Sequence, residues 1–152
     1  MSHHCDWIGE SLKFESRDSI VKNACKLLKT VSDQFTHVAV TGYSSTIIGS
    51  IVAHKMKKEV VVVRKENEIR ASSYDHEYSS LPNGYVFIDD FIGSGCTLKR
   101  VVDKLGPKGL VAIYTYHQPL NRRRVYDKCP ISNLFKGMKP IILTPCGTTL
   151  VF

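Results

Sequence analysis

The stretch Val86-Phe87-Ile88-Asp89-Asp90-Phe91-Ile92-Gly93-Ser94-Gly95-Cys96-Thr97 decides how this 152-residue chain is read. An apolar run predicts a buried strand, and that strand ends in two adjacent carboxylates, Asp89 and Asp90. Gly93 and Gly95 allow the backbone of the next few residues to approach a ligand closely. The amides of residues 92–97, with the hydroxyls of Ser94 and Thr97, can wrap a monophosphate at the start of a helix expected over residues 97–105. The acid pair suits sugar hydroxyls or a metal ion. Together they imply a phosphorylated sugar as ligand. A strand–turn–helix with no ligand leaves two adjacent acids with a desolvation cost that nothing offsets.

The rest of the chain alternates helix and strand around this segment, which predicts an α/β fold with a mainly parallel central sheet flanked by helices. Residues 18–31 carry Ile20, Val21, Ala24, Leu27, Leu28 and Val31 at helical spacing. A strand over 37–41, a turn over 42–45 and a helix over 46–55 follow. The β-branched run 59–63 reads as a strand buried on both faces. Residues 65–83 are polar and irregular, as functional or mobile loops are. Strands are expected over 85–89, 109–116 and 140–143, with a helix around 121–128. The whole reads as one domain, 1–152, with a core over about 18–116 and a small hood from the chain ends, 1–17 and 117–152.

An apolar fraction of 43% and a charged fraction of 23% are those of a globular protein. No apolar run approaches the ~20 residues that span a bilayer, and the polar start at Met1-Ser2-His3-His4-Cys5-Asp6 lacks an apolar signal core. The five cysteines, Cys5, Cys25, Cys96, Cys129 and Cys146, are odd in number and widely spaced, so free thiols and a cytoplasmic location are expected. His3, His4 and Cys5 read as a disordered terminus before a zinc site. A formal net charge of +7 points to a polyanionic ligand or partner, and Arg122-Arg123-Arg124 is its densest cluster. That run has three readings: a solvated helix face, a pyrophosphate contact across a dimer interface, or a nucleic-acid contact.

The segment from Val86 to Thr97 resembles the phosphoribosyl pyrophosphate (PRPP) loop of the type I phosphoribosyltransferases: an apolar strand, two acids, two apolar residues, a glycine–hydroxyl loop, then threonine. Three further segments, all ahead of the acids, resemble the same family. Val38-Ala39-Val40-Thr41-Gly42-Tyr43-Ser44-Ser45 is similar to the strand and turn that touch pyrophosphate, where the family often holds a strained non-proline cis bond. Arg64-Lys65 is similar to the pair that opens the mobile catalytic loop, and Tyr74-Asp75-His76-Glu77-Tyr78 to a stretch of that loop in adenine phosphoribosyltransferases. The resemblance covers roughly residues 36–116.

It implies that Asp89 and Asp90 hold the ribose hydroxyls and, with substrate, Mg²⁺. By the same resemblance Gly93, Ser94, Gly95, Cys96 and Thr97 hold the 5-phosphate. Tyr43, Ser44, Ser45, Arg64 and Lys65 would bind pyrophosphate, with Arg70 as a further cation and Glu77 near the acceptor base. Asp89, Asp90, Glu77 and Lys65 are the residues expected to carry catalysis. The implied activity moves the phosphoribosyl group of PRPP to a nucleobase, a purine ahead of others, with release of pyrophosphate, in a homodimer. Gly93 stands where hypoxanthine-guanine enzymes carry an aspartate, which argues against that branch. The alternatives are a non-catalytic PRPP sensor that binds RNA or DNA through its basic surface, and an enzyme with a non-nucleobase acceptor such as an amine or a modified nucleotide.

Overall fold

The computed structural model describes residues 7–65, 76–78, 80–93, 95–117 and 141–145. Two helices lead, α1 (Trp7–Leu12) and α2 (Phe14–Leu28), the second running into a 3-10 turn at Lys29–Val31. Then come β1 (His37–Val40), α3 (Gly42–Met56), β2 (Glu59–Val63), β3 (His76–Glu77), β4 (Tyr85–Asp89) and α4 (Cys96–Leu105). A 3-10 turn at Pro107–Gly109 leads to β5 (Leu110–Thr115), and β6 (Ile141–Leu143) closes the described chain.

Across the sheet the strands run β3-β2-β1-β4-β5-β6. Five are parallel, and the two-residue β3 pairs antiparallel with β2 at the edge. The expected mainly parallel α/β sheet is therefore present. From β1 the chain crosses to β2 on one side, then returns to lay β4 against β1 on the other. The segments leaving the carboxyl ends of β1 and β4 therefore diverge, and a crevice opens between them, where open α/β sheets place their ligands.

Strand alternation sorts the core into two layers. Val38, Val40, Val86 and Ile88 pack with α2 and α3 on one face of the sheet. Ala39, Val61, Phe87 and Ile113 pack with α4 on the other. In α4, Leu98, Val101, Val102 and Leu105 recur at i, i+3, i+4 and i+7 and make a single apolar stripe. In α3, Gly49 allows a very close approach to the sheet: a Cβ built there would lie 2.2 Å from Val40 Cγ1.

Several boundaries differ from the sequence expectation. α2 starts at Phe14, four residues before the expected Asp18, and α1 precedes it. α3 starts at Gly42, directly after β1, because the positive φ of Gly42 (73°) reverses the chain at one residue where a four-residue turn was expected. β3 emerges from a stretch read as irregular, its pairing supplied by the free edge of β2. The expected helix around 121–128 lies outside the described residues. Among the described residues no helix is long and apolar enough to cross a membrane.

Candidate functional site

A cleft of about 390 Å³ opens at the β1/β4 crevice. The turn after β1 forms one wall with Thr41, Gly42, Tyr43, Ser44 and Ser45. The other wall is Asp89, Asp90 and the following turn, including Gly93, Gly95 and Thr97, and Lys65 reaches in from the end of β2. Residues far apart in sequence meet here because β1, β2 and β4 are neighbouring parallel strands whose carboxyl ends share one edge.

The first wall is the amino-terminal turn of a fifteen-residue helix. Its leading N–H groups have no intrahelical acceptor, and no side chain caps them. Tyr43 stands 79% exposed at the mouth, whereas Ser44 and Ser45 are buried. Ser45 Oγ accepts from the Thr41 amide at 3.0 Å and donates to the Thr41 carbonyl, so its hydroxyl braces the turn. Ser44 Oγ is hydrogen-bonded to Tyr116 Oη and, at 2.8 Å, to Ser11 Oγ. Thr41 lines the cleft with its Oγ1 buried and without a partner, which makes it a binding candidate that the sequence reading did not single out. A Cβ added to Gly42 would lie 3.4 Å from Lys65 Nζ, so the ammonium sits directly over this turn. The peptide bonds of the described residues are trans, so the cis bond implied for this turn is not found.

The second wall is held from behind by β5. The amides of Tyr116 and His117 donate to the carbonyls of Asp89 (3.3 Å) and Asp90 (2.8 Å), extending the pairing past the strand ends. Each carboxylate also accepts from the next backbone amide, Asp89 Oδ1 from Asp90 N at 3.0 Å and Asp90 Oδ1 from Phe91 N at 2.8 Å. Burial, reinforced by the negative charge of Asp90, pushes the Asp89 carboxyl up to about 8; the Lys65 ammonium opposes this weakly. Gly95, at φ 79°, caps α4, and Thr97 lies in its first turn on the cleft wall. Cys96 begins α4 and is exposed, outside the residues lining the cleft. Gly93 packs under the Phe91 ring, 3.1 Å from where its Cβ would be.

The sequence-predicted residues thus divide. Asp89, Asp90, Gly93, Gly95, Thr97, Lys65, Tyr43, Ser44 and Ser45 converge on one cleft. Arg64 and Glu77 meet each other: Arg64 Nη2 donates to Glu77 Oε1 in an ion pair beside the β2–β3 edge, away from the cleft lining. Side chains leaving a strand project to alternate sides, which accounts for Lys65 entering the cleft while its neighbour Arg64 does not. Ser94, Arg70, the histidines at 3 and 4 and the arginines at 122–124 lie outside the described residues. No cluster of three or more metal-ligating side chains exists among the described residues. The acid pair still fits Mg²⁺, because Asp89 and Asp90 bring two hard oxygen donors to one cleft wall, and a cation beside them would offset both the burial and the mutual repulsion that hold the Asp89 carboxyl up.

No family model matches the sequence, and a search of curated proteins finds no match. Solved structures do match. The orotate phosphoribosyltransferase of Francisella tularensis superposes with TM-score 0.63 at 10% identity, over 88% of this chain and 67% of that one. The adenine phosphoribosyltransferase of Leishmania tarentolae gives 0.62 at 16% identity, over 91% and 74%. The UMP synthase of Leishmania donovani gives 0.54 at 22% identity; 66% of this chain is covered, and it spans only 22% of that one.

Proposed function

We propose that this chain, which has the type I phosphoribosyltransferase fold, transfers the phosphoribosyl group of PRPP to a ring nitrogen of a nucleobase, a purine by preference, releasing pyrophosphate. One observation carries the reading. A twin-carboxylate strand end and a glycine turn at one helix start face, across the β1/β4 crevice, a second helix start overlaid by a lysine. That arrangement offers a ribose 5-phosphate subsite and a pyrophosphate subsite side by side.

In this reading Asp89 and Asp90 accept hydrogen bonds from the ribose hydroxyls and hold Mg²⁺ together with substrate oxygens. The amides of 93–97, with the hydroxyls of Ser94 and Thr97, take the 5-phosphate at the positive end of α4. The first-turn amides of α3, the Thr41 hydroxyl and Lys65 take the pyrophosphate. As the C1–O bond breaks, its electron pair leaves with pyrophosphate, and these donors and the Lys65 charge stabilise the negative charge where it grows. The acceptor nitrogen attacks C1 as this bond breaks and then sheds its proton. Bound Mg²⁺ would add further neutralisation of the leaving group. Glu77 approaches the acceptor once its ion pair with Arg64 opens; the rest of the catalytic-loop stretch implied by the resemblance, residues 66–75, lies outside the described residues.

The test is pyrophosphate release from PRPP with Mg²⁺ across a panel of nucleobases, beside calorimetry of PRPP and ribose 5-phosphate. Turnover with one base supports the transferase. Binding of PRPP without turnover, with salt-dependent binding of RNA or DNA, supports the sensor that the net charge of +7 also suits. If neither PRPP nor ribose 5-phosphate binds, both readings fall.

A further inference from the structure

Three buried hydroxyls from distant parts of the chain meet behind the cleft. Ser11 comes from α1, Ser44 from the first turn of α3, and Tyr116 from the residue just past β5. Ser11 Oγ and Ser44 Oγ lie 2.8 Å apart, and Ser44 Oγ is also bonded to Tyr116 Oη. All three side chains are buried. Burial pushes the Tyr116 hydroxyl up to about 12, so it stays protonated and able to donate at any physiological pH.

Tyr116 touches both walls of the cleft. Its backbone amide donates to the carbonyl of Asp89, on the acid wall, at 3.3 Å. Its hydroxyl meets Ser44, on the helix wall. Ser11 meets the same Ser44 from the opposite end of the chain. A helix start binds an anion only when its amides point at one place, and the rotation of this first turn is set by what grips its side chains. Ser45 is gripped by Thr41 within the turn itself; Ser44 is gripped by Ser11 and Tyr116, both outside α3.

The geometry points to Tyr116 and Ser11 as positioning residues that aim the first turn of α3 at the pyrophosphate group. This deepens the function proposed above and rests on it. Neither residue touches ligand; they act through Ser44. The effect falls on the half of the substrate that α3 faces, because the three hydroxyls meet at Ser44, in the first turn of that helix.

The experiment compares Tyr116→Phe, Ser11→Ala and the unchanged protein by calorimetry with Mg²⁺ and three probes: inorganic pyrophosphate, PRPP and ribose 5-phosphate. For Tyr116→Phe, Kd is expected to rise about tenfold for pyrophosphate and PRPP and to stay within about twofold for ribose 5-phosphate, the loss of roughly one hydrogen bond to a charged group. Ser11→Ala should shift the same two probes by about threefold, and Ser11→Thr, which keeps the hydroxyl, should restore binding. Equal losses for all three probes would show a merely structural role and overturn the inference, as would unchanged pyrophosphate binding in both variants. Should Tyr116→Phe fail to fold, the Ser11 pair decides alone. If the unchanged protein binds none of the probes, the function reading itself fails and this inference with it, a result distinct from either outcome above.

Discussion

Asp89 is where the fold works against its own stability. A carboxyl pushed up to about 8 is disfavoured as an anion in the folded chain, whereas in the unfolded chain it ionises near its ordinary value of about 4. Folding therefore takes up a proton between those values. This contribution to stability is full below about pH 4 and is lost as pH rises towards 8. Asp89→Asn removes the buried charge, so its melting temperature should match the parent near pH 3.5 and exceed it by about 3–6 °C at pH 8.5, roughly 1–2 kcal/mol. A constant difference across that range would show that Asp89 is not the titrating group. The same shift predicts that binding Mg²⁺ and PRPP at pH 7 releases close to one proton, seen as a buffer-dependent heat in calorimetry. Replacing both Asp89 and Asp90 by Asn should abolish turnover while the circular dichroism spectrum is retained; full activity in that variant rejects the proposed function.

At the scale of the element, α3 combines two demands. Its start must face the cleft, and its middle must lie close on β1. Gly49 serves the second: with Val40 Cγ1 2.2 Å from where a Cβ would be, Gly49→Ala must push the helix outward or force a stiff β-branched neighbour off its rotamer. A loss of about 1–3 kcal/mol is expected in urea unfolding, together with weaker pyrophosphate binding, because the displaced helix carries its first turn with it. The end of β2 makes a second prediction. Lys65 lines the cleft and Arg64 is engaged with Glu77. Lys65→Ala should therefore raise the Kd for PRPP about tenfold and Arg64→Ala about twofold, worth roughly 1.4 and 0.4 kcal/mol. The opposite ranking would mean that the Arg64 pair opens before substrate binds. The Arg64-Lys65 dipeptide read as a joint pyrophosphate contact because a sequence shows adjacency; the side of the strand that each residue leaves from depends on its pairing with β1 and β3.

For the whole molecule, the cleft joins segments from both sides of β1, so a ligand that fills it ties α3, the end of β2 and the β4–α4 turn into one unit. PRPP with Mg²⁺ at a hundred times its Kd should stabilise the fold by about 2.7 kcal/mol, a rise of roughly 5–10 °C for a chain of this size. Mg²⁺ with ribose 5-phosphate alone should give less, since it leaves the α3 wall empty. Equal shifts from both ligands would remove the case for a pyrophosphate subsite on α3.

The amino-acid sequence by itself determined the alternation of strands and helices, the acid pair at the end of β4, and the glycine turn that follows. These are local properties: β-branched runs, helical spacing and left-handed glycines act over a few residues, so their meaning survives without knowing what packs nearby. Only the tertiary structure decided the rest. It put Thr41 and Lys65 opposite the acids, drew Arg64 off to Glu77, turned Ser44 and Ser45 inward and hung the first turn of α3 on Tyr116 and Ser11. The physical reason is that each of these depends on which strands lie side by side. A parallel sheet brings the ends of β1, β2 and β4 to one edge, and that order is set by packing across the whole core.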